Sequence, residues 1–260
     1  MLQKQIISIA QQAGEEILKF YRSSDLLVEN KRDNSPVTKA DLIAHEIIFS
    51  EISKISKEPI ISEESELNKN LNLEKGQYWL VDPLDGTRDF VAGRETFCVS
   101  IGLIQNSLPV LGVLYSPVKK EFFWAAQGQG SFFNGKKIFN LSARTELFGV
   151  ASGVNQIANR MKSFLDISKI QKMTRYGSAL KFASVASGEA DIYPRFGETS
   201  EWDTAAGQII CSEAGCDVID IKTAQVMKYS KPAFRNTGFI ALRRDLVPQF
   251  QKILKELVLI

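Results

Sequence analysis

Apolar side chains at Leu2, Ile6, Ile9, Ala13, Ile17 and Phe20 recur at helical spacing and are interrupted by Lys4, Glu15 and Glu16. The pattern predicts an amphipathic helix rather than the unbroken apolar core of a secretory leader. A polar stretch from Asn30 to Pro36 follows, and then Thr38 with Asp41 three residues on, which reads as a helix cap. The second helix carries Ile43, Ile47, Ile48, Ile52 and Ile55 on one face and ends before Pro59, because proline disfavours helical backbone in the residue ahead of it.

From Tyr78 the pattern changes to short apolar runs: Tyr78 to Val81, Phe97 to Ile104, Val110 to Tyr115, Glu121 to Ala126 and Ser131 to Phe133. Turn residues separate them, among them Asn134-Gly135, a strong hairpin signal, so the runs predict an antiparallel meander. Beyond about residue 146 strands and helices alternate. Strands are expected at Leu147 to Ser152, Met173 to Tyr176, Asp191 to Arg195 and Phe239 to Leu242. Helices are expected near Ile157 to Ile167, at Ser178 to Ser187, Trp202 to Glu213 and Val247 to Leu257. That is the rhythm of an α/β layer. With no internal repeat or low-complexity linker, residues 1–145 and 146–260 are read as two packed layers of one unit.

Composition narrows the function classes. Of 260 residues 44% are apolar and 24% charged, enough for a sizeable core. The net charge is only +2 and no basic run of five or more residues occurs, which argues against a nucleic-acid partner. Cys98, Cys211 and Cys216 are too few for a disulfide framework and lack the paired spacing of a zinc site, so a reducing cytoplasm fits best. No run of eighteen apolar residues exists to span a membrane, while contact with a membrane surface stays open.

The chemistry concentrates where an apolar run stops abruptly, at Asp82-Pro83-Leu84-Asp85-Gly86-Thr87. Pro83 fixes the turn and Gly86 permits a tight one, so Asp82, Asp85, the Thr87 hydroxyl and the Leu84 carbonyl can project together as oxygen ligands for a hard divalent cation. Alone, such a segment is an ordinary polar turn. Further acids change that reading: Glu63 and Glu64 directly follow the run Ile60-Ile61-Ser62, Asp203 stands at a helix start, and Asp41 stands at a cap. If Asp41, Glu63, Asp82, Asp85 and Asp203 converge, their repulsion calls for cations. The one histidine, His45, nearly excludes histidine triads and multi-histidine zinc sites and is itself expected to be structural, and no GxxxxGK loop is present. Metal-assisted hydrolysis remains.

Asp82 to Thr87, the Glu63-Glu64 pair and Trp202-Asp203-Thr204-Ala205-Ala206-Gly207 together resemble the inositol monophosphatase superfamily of lithium-sensitive phosphatases, in family order from about Asp33 to Ala241. Within it, Gly177-Ser178-Ala179-Leu180-Lys181-Phe182, the run Gly188 to Gly197 and Asn236-Thr237-Gly238-Phe239 look like the CysQ type of 3′(2′),5′-bisphosphate nucleotidase. The resemblance implies a layered αβαβα sandwich and removal of the 3′-phosphate from adenosine 3′,5′-bisphosphate, a by-product of sulfate activation, giving AMP and phosphate.

The resemblance also implies roles residue by residue. Glu63, Asp82 and the Leu84 carbonyl would hold one magnesium ion, and Asp82, Asp85 and Asp203 a second. Glu63 and Thr87 would position and help deprotonate the attacking water. Asp41 would support Thr87 or, through water, a further weakly held metal, and the Gly86 and Thr87 amides would meet the phosphate. Gly177, Ser178, Lys181, Arg195 and Asp203 would line the nucleotide pocket. Lys181 and Arg195 suit a second phosphate, although a solvated helix lysine and an arginine in a surface ion pair are equally open readings. Glu198 departs from the family pattern, which carries proline there, and adds charge near Asp203 without removing a ligand. Monomer and homodimer both remain open, as do inositol or sugar monophosphates as substrates and a non-catalytic module that binds magnesium and a nucleotide.

Overall fold

Helix α1 (Leu2–Phe20) turns Ile6, Ile9, Ala13 and Ile17 to the interior, and α2 (Lys39–Ile55) buries Ala40, Ala44, Ile48 and Ile52 against it. Thr38 caps α2 in a reciprocal box with Asp41, as its spacing predicts. The structure, a computed structural model, describes residues 2–23, 28–30, 36–65, 73, 76–140, 146–151, 164, 168 and 170–258. Strands β1 (Val28–Asn30) and β2 (Pro36–Thr38) pair antiparallel ahead of α2; most of the polar stretch between them lies outside the described residues.

A seven-stranded sheet follows in chain order: β3 (Ile60–Ser62), β4 (Gln77–Asp85), β5 (Cys98–Gln105), β6 (Leu108–Ser116), β7 (Glu121–Ala126), β8 (Gly130–Phe133) and β9 (Lys136–Ile138). Five neighbouring pairs are antiparallel, whereas β3 runs parallel to β4 at the sheet edge. Strands β3 and β9 extend the expected meander; each spans three residues, too few for an alternating pattern to show. The β8–β9 turn has Asn134 and Gly135 both at positive φ, the conformation that an Asn-Gly pair favours in a two-residue hairpin.

Strand β4 is buried on both faces, which explains its unbroken apolar run. Trp79 and Val81 join the core beneath α1 and α2, while Tyr78 and Leu80 join a second core on the opposite face. After the short helix α3 (Thr87–Val91), that second core is completed by α4 (Leu180–Ala186) and α5 (Ala205–Glu213). A Cβ on Gly102 would lie 2.7 Å from Ala205 Cβ, and one on Gly112 would lie 2.7 Å from Ala206 Cα, so the two glycines let α5 rest directly on the sheet.

The far side of these helices packs on a five-stranded sheet in the order β11 (Ile170–Arg175), β10 (Leu147–Ala151), β12 (Ile192–Arg195), β16 (Phe239–Arg243), β14 (Cys216–Asp220). Alternation in β16 serves two layers: Phe239 and Ala241 face the helices, and Ile240 and Leu242 pack with Leu246 and with Phe250, Ile253 and Leu254 of α6 (Val247–Val258). The layers therefore stack α, β, α, β, α. The helix expected near Ile157 to Ile167 lies outside the described residues except for Phe164. The helix expected from Trp202 begins as one turn of tighter helix, Glu201–Asp203, before α5. A small antiparallel pair, β13 (Thr199–Ser200) with β15 (Arg235–Asn236), flanks that turn.

Candidate functional site

Three elements bring carboxylates to one point. Parallel pairing sets Ser62 opposite Val81, and the Glu63 amide donates to the Val81 carbonyl at 3.1 Å, so Glu63 is delivered beside the end of β4. On the other side of β4, Asp82 pairs with Ser100 and Asp85 with Cys98, three residues against two. That irregularity re-aims the side chains at the strand end, as bulges do. Gly86 then adopts φ 97°, a left-handed conformation, with the Thr96 carbonyl and Phe97 Cα at 3.1 and 3.3 Å from where a Cβ would lie. Asp203 arrives on the tight turn before α5, its Oδ2 accepting from the Ser200 amide at 2.8 Å, and the Ser100 hydroxyl donates to the Trp202 carbonyl at 3.2 Å.

Carboxylate oxygens of Glu63, Asp82 and Asp203 lie within 4.8 Å of one another. Asp85 stands beside this trio, its Oδ2 accepting from the Ala179 amide at the start of the α4 turn. Burial pushes the Asp82 carboxyl well above the usual carboxylate range, with repulsion from Glu63, Asp85 and Asp203 adding to it. Asp203 is pushed up to about 8 by burial and by Asp85 and Glu63. Asp85 is raised to about 6, burial outweighing the pull of Lys181 and the Ala179 amide. Such a cluster, all oxygen donors, with Asp82 buried and Glu63, Asp85 and Asp203 half-buried, binds protons or a hard cation, and the donor set fits magnesium.

Asp41 sits one step outward. It is 2% exposed and accepts at Oδ2 from the Thr38 amide at 2.8 Å and the Thr38 hydroxyl at 2.5 Å. At Oδ1 it faces the Thr87 hydroxyl at 3.0 Å, and the Leu84 carbonyl is also 3.0 Å from that hydroxyl. One hydroxyl proton serves both acceptors, so Thr87 is held in place with its lone pairs turned away from them. Burial raises the Asp41 carboxyl against these hydrogen bonds. His45 contacts the Ser62 hydroxyl at 2.9 Å through Nδ1.

A cavity of about 180 Å³ adjoins the carboxylates, lined by Asp85, Ser178, Lys181, Tyr193, Arg195 and Asp203 among others. Gly177 lets the α4 turn approach, since a Cβ there would collide with Asp89 and Thr96. Ser178 has φ 52° and accepts at its carbonyl from the Lys181 ammonium. Lys181 is 4% exposed, not a solvated helix lysine: helix α4 is buried on all sides, and the ammonium lies 5.2 Å from the Tyr193 ring centre. Burial lowers the Lys181 ammonium to about 8 although Asp85 attracts it. Arg195 makes no ion pair among the described residues. Its Nη2 reaches the Glu198 carbonyl at 3.4 Å, and its buried Nε has no hydrogen-bond partner there. Glu198 itself is exposed.

A buried carboxylate close to Asp203 in the chain escaped the sequence reading. Glu201 is fully buried and accepts from the Ser230 and Lys231 amides at 3.1 and 2.9 Å. Burial pushes it up to about 7 despite those bonds. Its place beside Trp202-Asp203 was the available signal; its partners lie 29 and 30 residues further on.

Comparison with known proteins bears on this geometry. A family model described as the inositol monophosphatase family matches residues 2–258. A protein of Buchnera aphidicola subsp. Acyrthosiphon pisum named 3′(2′),5′-bisphosphate nucleotidase CysQ is 40% identical over 251 residues, 93% of each chain. The protein of that name from Escherichia coli strain K12 is 36% identical over 240 residues, 90% of this chain and 97% of that one. The crystal structure of CysQ from Bacteroides thetaiotaomicron superimposes with a TM-score of 0.82 at 32% identity, covering 93% and 96% of the two chains. A Thermotoga maritima IMPase superimposes with a TM-score of 0.80 at 29% identity, covering 97% and 96%.

Proposed function

The chain belongs to the inositol monophosphatase family, and on that premise we propose that it is a magnesium-dependent 3′(2′),5′-bisphosphate nucleotidase, converting adenosine 3′,5′-bisphosphate to AMP and phosphate in the cytoplasm, within sulfur assimilation. The observation that carries the reading is the carboxylate trio within 4.8 Å, whose member Asp203 lines, with Asp85, a cavity that also holds Lys181 and Arg195. A monophosphate needs only the acidic side; the buried Lys181 and half-buried Arg195 beside it suit a second phosphate.

Glu63, Asp82 and the Leu84 carbonyl would hold one ion and Asp82, Asp85 and Asp203 a second, with Asp41 supporting a weaker third through water. When bound, magnesium supplies charge that lowers the pKa of water and clamps phosphate oxygens. The rest falls to the chain itself. Thr87, held by Asp41 and the Leu84 carbonyl, orients the attacking water, and Glu63 takes its proton. The Gly86 and Thr87 amides receive a phosphate oxygen. The water oxygen bonds to phosphorus, the P–O3′ bond breaks, and the proton that Glu63 took passes on through water to the leaving 3′-oxygen, returning Glu63 to its carboxylate form. Ser178 and Gly177 shape the wall toward the nucleotide, while Lys181 and Arg195 bind the 5′-phosphate.

Asp82→Asn tests this. Asp82 is 3% exposed and faces three other carboxylates, so its replacement should abolish turnover and the magnesium-induced rise in melting temperature. The same variant should leave the metal-free protein at least as stable, because one of four mutually repelling acids is gone. Undiminished turnover would overturn the reading.

A further inference from the structure

The turn that presents Asp203 does not hold its shape alone: a distant segment, residues 227–236, grips it on both sides. The Asn236 side-chain amide donates to the Ser200 carbonyl at 3.0 Å, the Thr199 hydroxyl at 3.2 Å and the Thr204 hydroxyl at 3.1 Å. These three acceptors bracket Asp203. Ser200 is also the residue whose amide holds Asp203 Oδ2 at 2.8 Å. Asn236 is fully buried, and its own orientation is set by the Lys231 ammonium, 2.9 Å from Oδ1.

The segment is in turn tied to the turn's first residue. Glu201 accepts from the amides of Ser230 and Lys231, and its Oε1 lies 4.0 Å from the Lys231 ammonium. Tyr229 donates through its hydroxyl to Thr204 at 3.2 Å and to Gln208 Oε1 at 3.0 Å, while Gln208 donates back to the Met227 carbonyl at 2.9 Å. Ser230, Ala233 and Phe234 adopt φ of 72°, 53° and 52°, a left-handed conformation that residues other than glycine keep only when their surroundings fix it. Phe234, 1% exposed and 6.4 Å from the Tyr78 ring, anchors the segment in the core.

We propose that Asn236 is a positioning residue for the metal site, holding the Asp203 carboxylate toward Glu63 and Asp82, and that Glu201 and Lys231 lock Asn236 in place. The inference rests on the metal-site reading above and adds to it: affinity for the ion depends on hydrogen bonds made more than thirty residues from the ligand they serve. Side chains that orient metal ligands cost 10- to 100-fold in affinity when removed, on the order expected here.

The test is calorimetric titration of the intact protein with magnesium alone, comparing wild type, Asn236→Ala, Glu201→Gln and Ile253→Ala. Ile253 sits on α6, in the core of the outermost layer, which contains none of the cluster's carboxylates, and serves as a control of comparable destabilisation. Asn236→Ala should weaken magnesium binding on the order of 10- to 100-fold, Glu201→Gln less, and Ile253→Ala not at all at equal loss of melting temperature. In turnover assays the magnesium concentration for half-maximal rate should rise in parallel for Asn236→Ala, with kcat recovering at saturating metal. Equal magnesium affinity in Asn236→Ala and wild type would overturn the positioning role while leaving the phosphatase reading intact. Absence of magnesium binding in wild type would overturn the metal-site reading itself. Should Asn236→Ala fail to fold, Lys231→Met, which removes the lock and leaves the amide, takes its place with a smaller loss expected.

Discussion

Replacing Lys181 with methionine separates the second phosphate from the first. The side chain is 4% exposed, and methionine fills nearly the same volume, so the cavity wall is preserved while the ammonium is lost. A hydrogen bond from a charged group contributes about 1.5–3 kcal/mol, which corresponds to roughly 10- to 150-fold in kcat/KM. Asp85 also feels the lost charge, and that effect falls on every substrate alike. The informative quantity is therefore the ratio of kcat/KM for adenosine 3′,5′-bisphosphate to that for adenosine 3′-monophosphate, measured by phosphate release. Lys181→Met should lower that ratio by roughly 10- to 150-fold. In wild type the ratio should also fall as pH rises through about 8, where the lysine loses its proton, and the variant should show no such step. An unchanged ratio, with the pH step retained, would refute the assignment of Lys181 to the remote phosphate.

The sheet face beneath α5 makes a second prediction. A Cβ on Gly112 would stand 2.5 Å from Ile209 Cγ2 and 2.7 Å from the Ala206 carbonyl, so Gly112→Ala should cost about 1–3 kcal/mol in urea unfolding and shift Asp203, lowering turnover. Unaltered stability would show that α5 can slide at no cost. Proton linkage gives a third. Asp203 and Asp85 are raised to about 8 and about 6 in the fold, against a value near 3.8 when unfolded. Their protonated forms favour the folded state, so that stability is present at low pH and lost as pH rises through 6 to 8. Metal-free protein should thus gain melting temperature from these groups between pH 8.5 and pH 6, and magnesium, which needs the ionised forms, should stabilise more at the higher pH. A magnesium effect equal at both pH values would contradict it.

What the chain reveals in advance follows from how local each signal is. The Thr38–Asp41 box and the Asn134-Gly135 turn depend on neighbours within three residues, and both stand where their sequence predicts. The end of β4 was legible because an apolar run buried on both faces stops in a proline, a glycine and two acids. Strand β3 was not, since three residues carry no period and its parallel partner lies beyond Gln77. Strand β14, Cys216–Asp220, alternates too weakly to stand out, with an aspartate at its second and last positions. Lys181 and Glu201 mislead for a different reason: charged residues are ordinarily solvated, and only the packing of α4 against two sheets, or amides supplied by Ser230 and Lys231, makes their burial tolerable. Convergence of Glu63, Asp82 and Asp203 joins three segments across 140 residues, so the acids could be picked out singly while their spacing in space could not.

Phosphate release from purified protein, given adenosine 3′,5′-bisphosphate, inositol 1-phosphate or fructose 1,6-bisphosphate, each with magnesium and with chelator, separates a metal-dependent nucleotidase from its rivals. Turnover that chelator abolishes and that favours the nucleotide is the expected result. Preference for inositol or sugar phosphate would contradict the pocket assigned to Lys181 and Arg195, and turnover that survives chelator would contradict the carboxylate metal site.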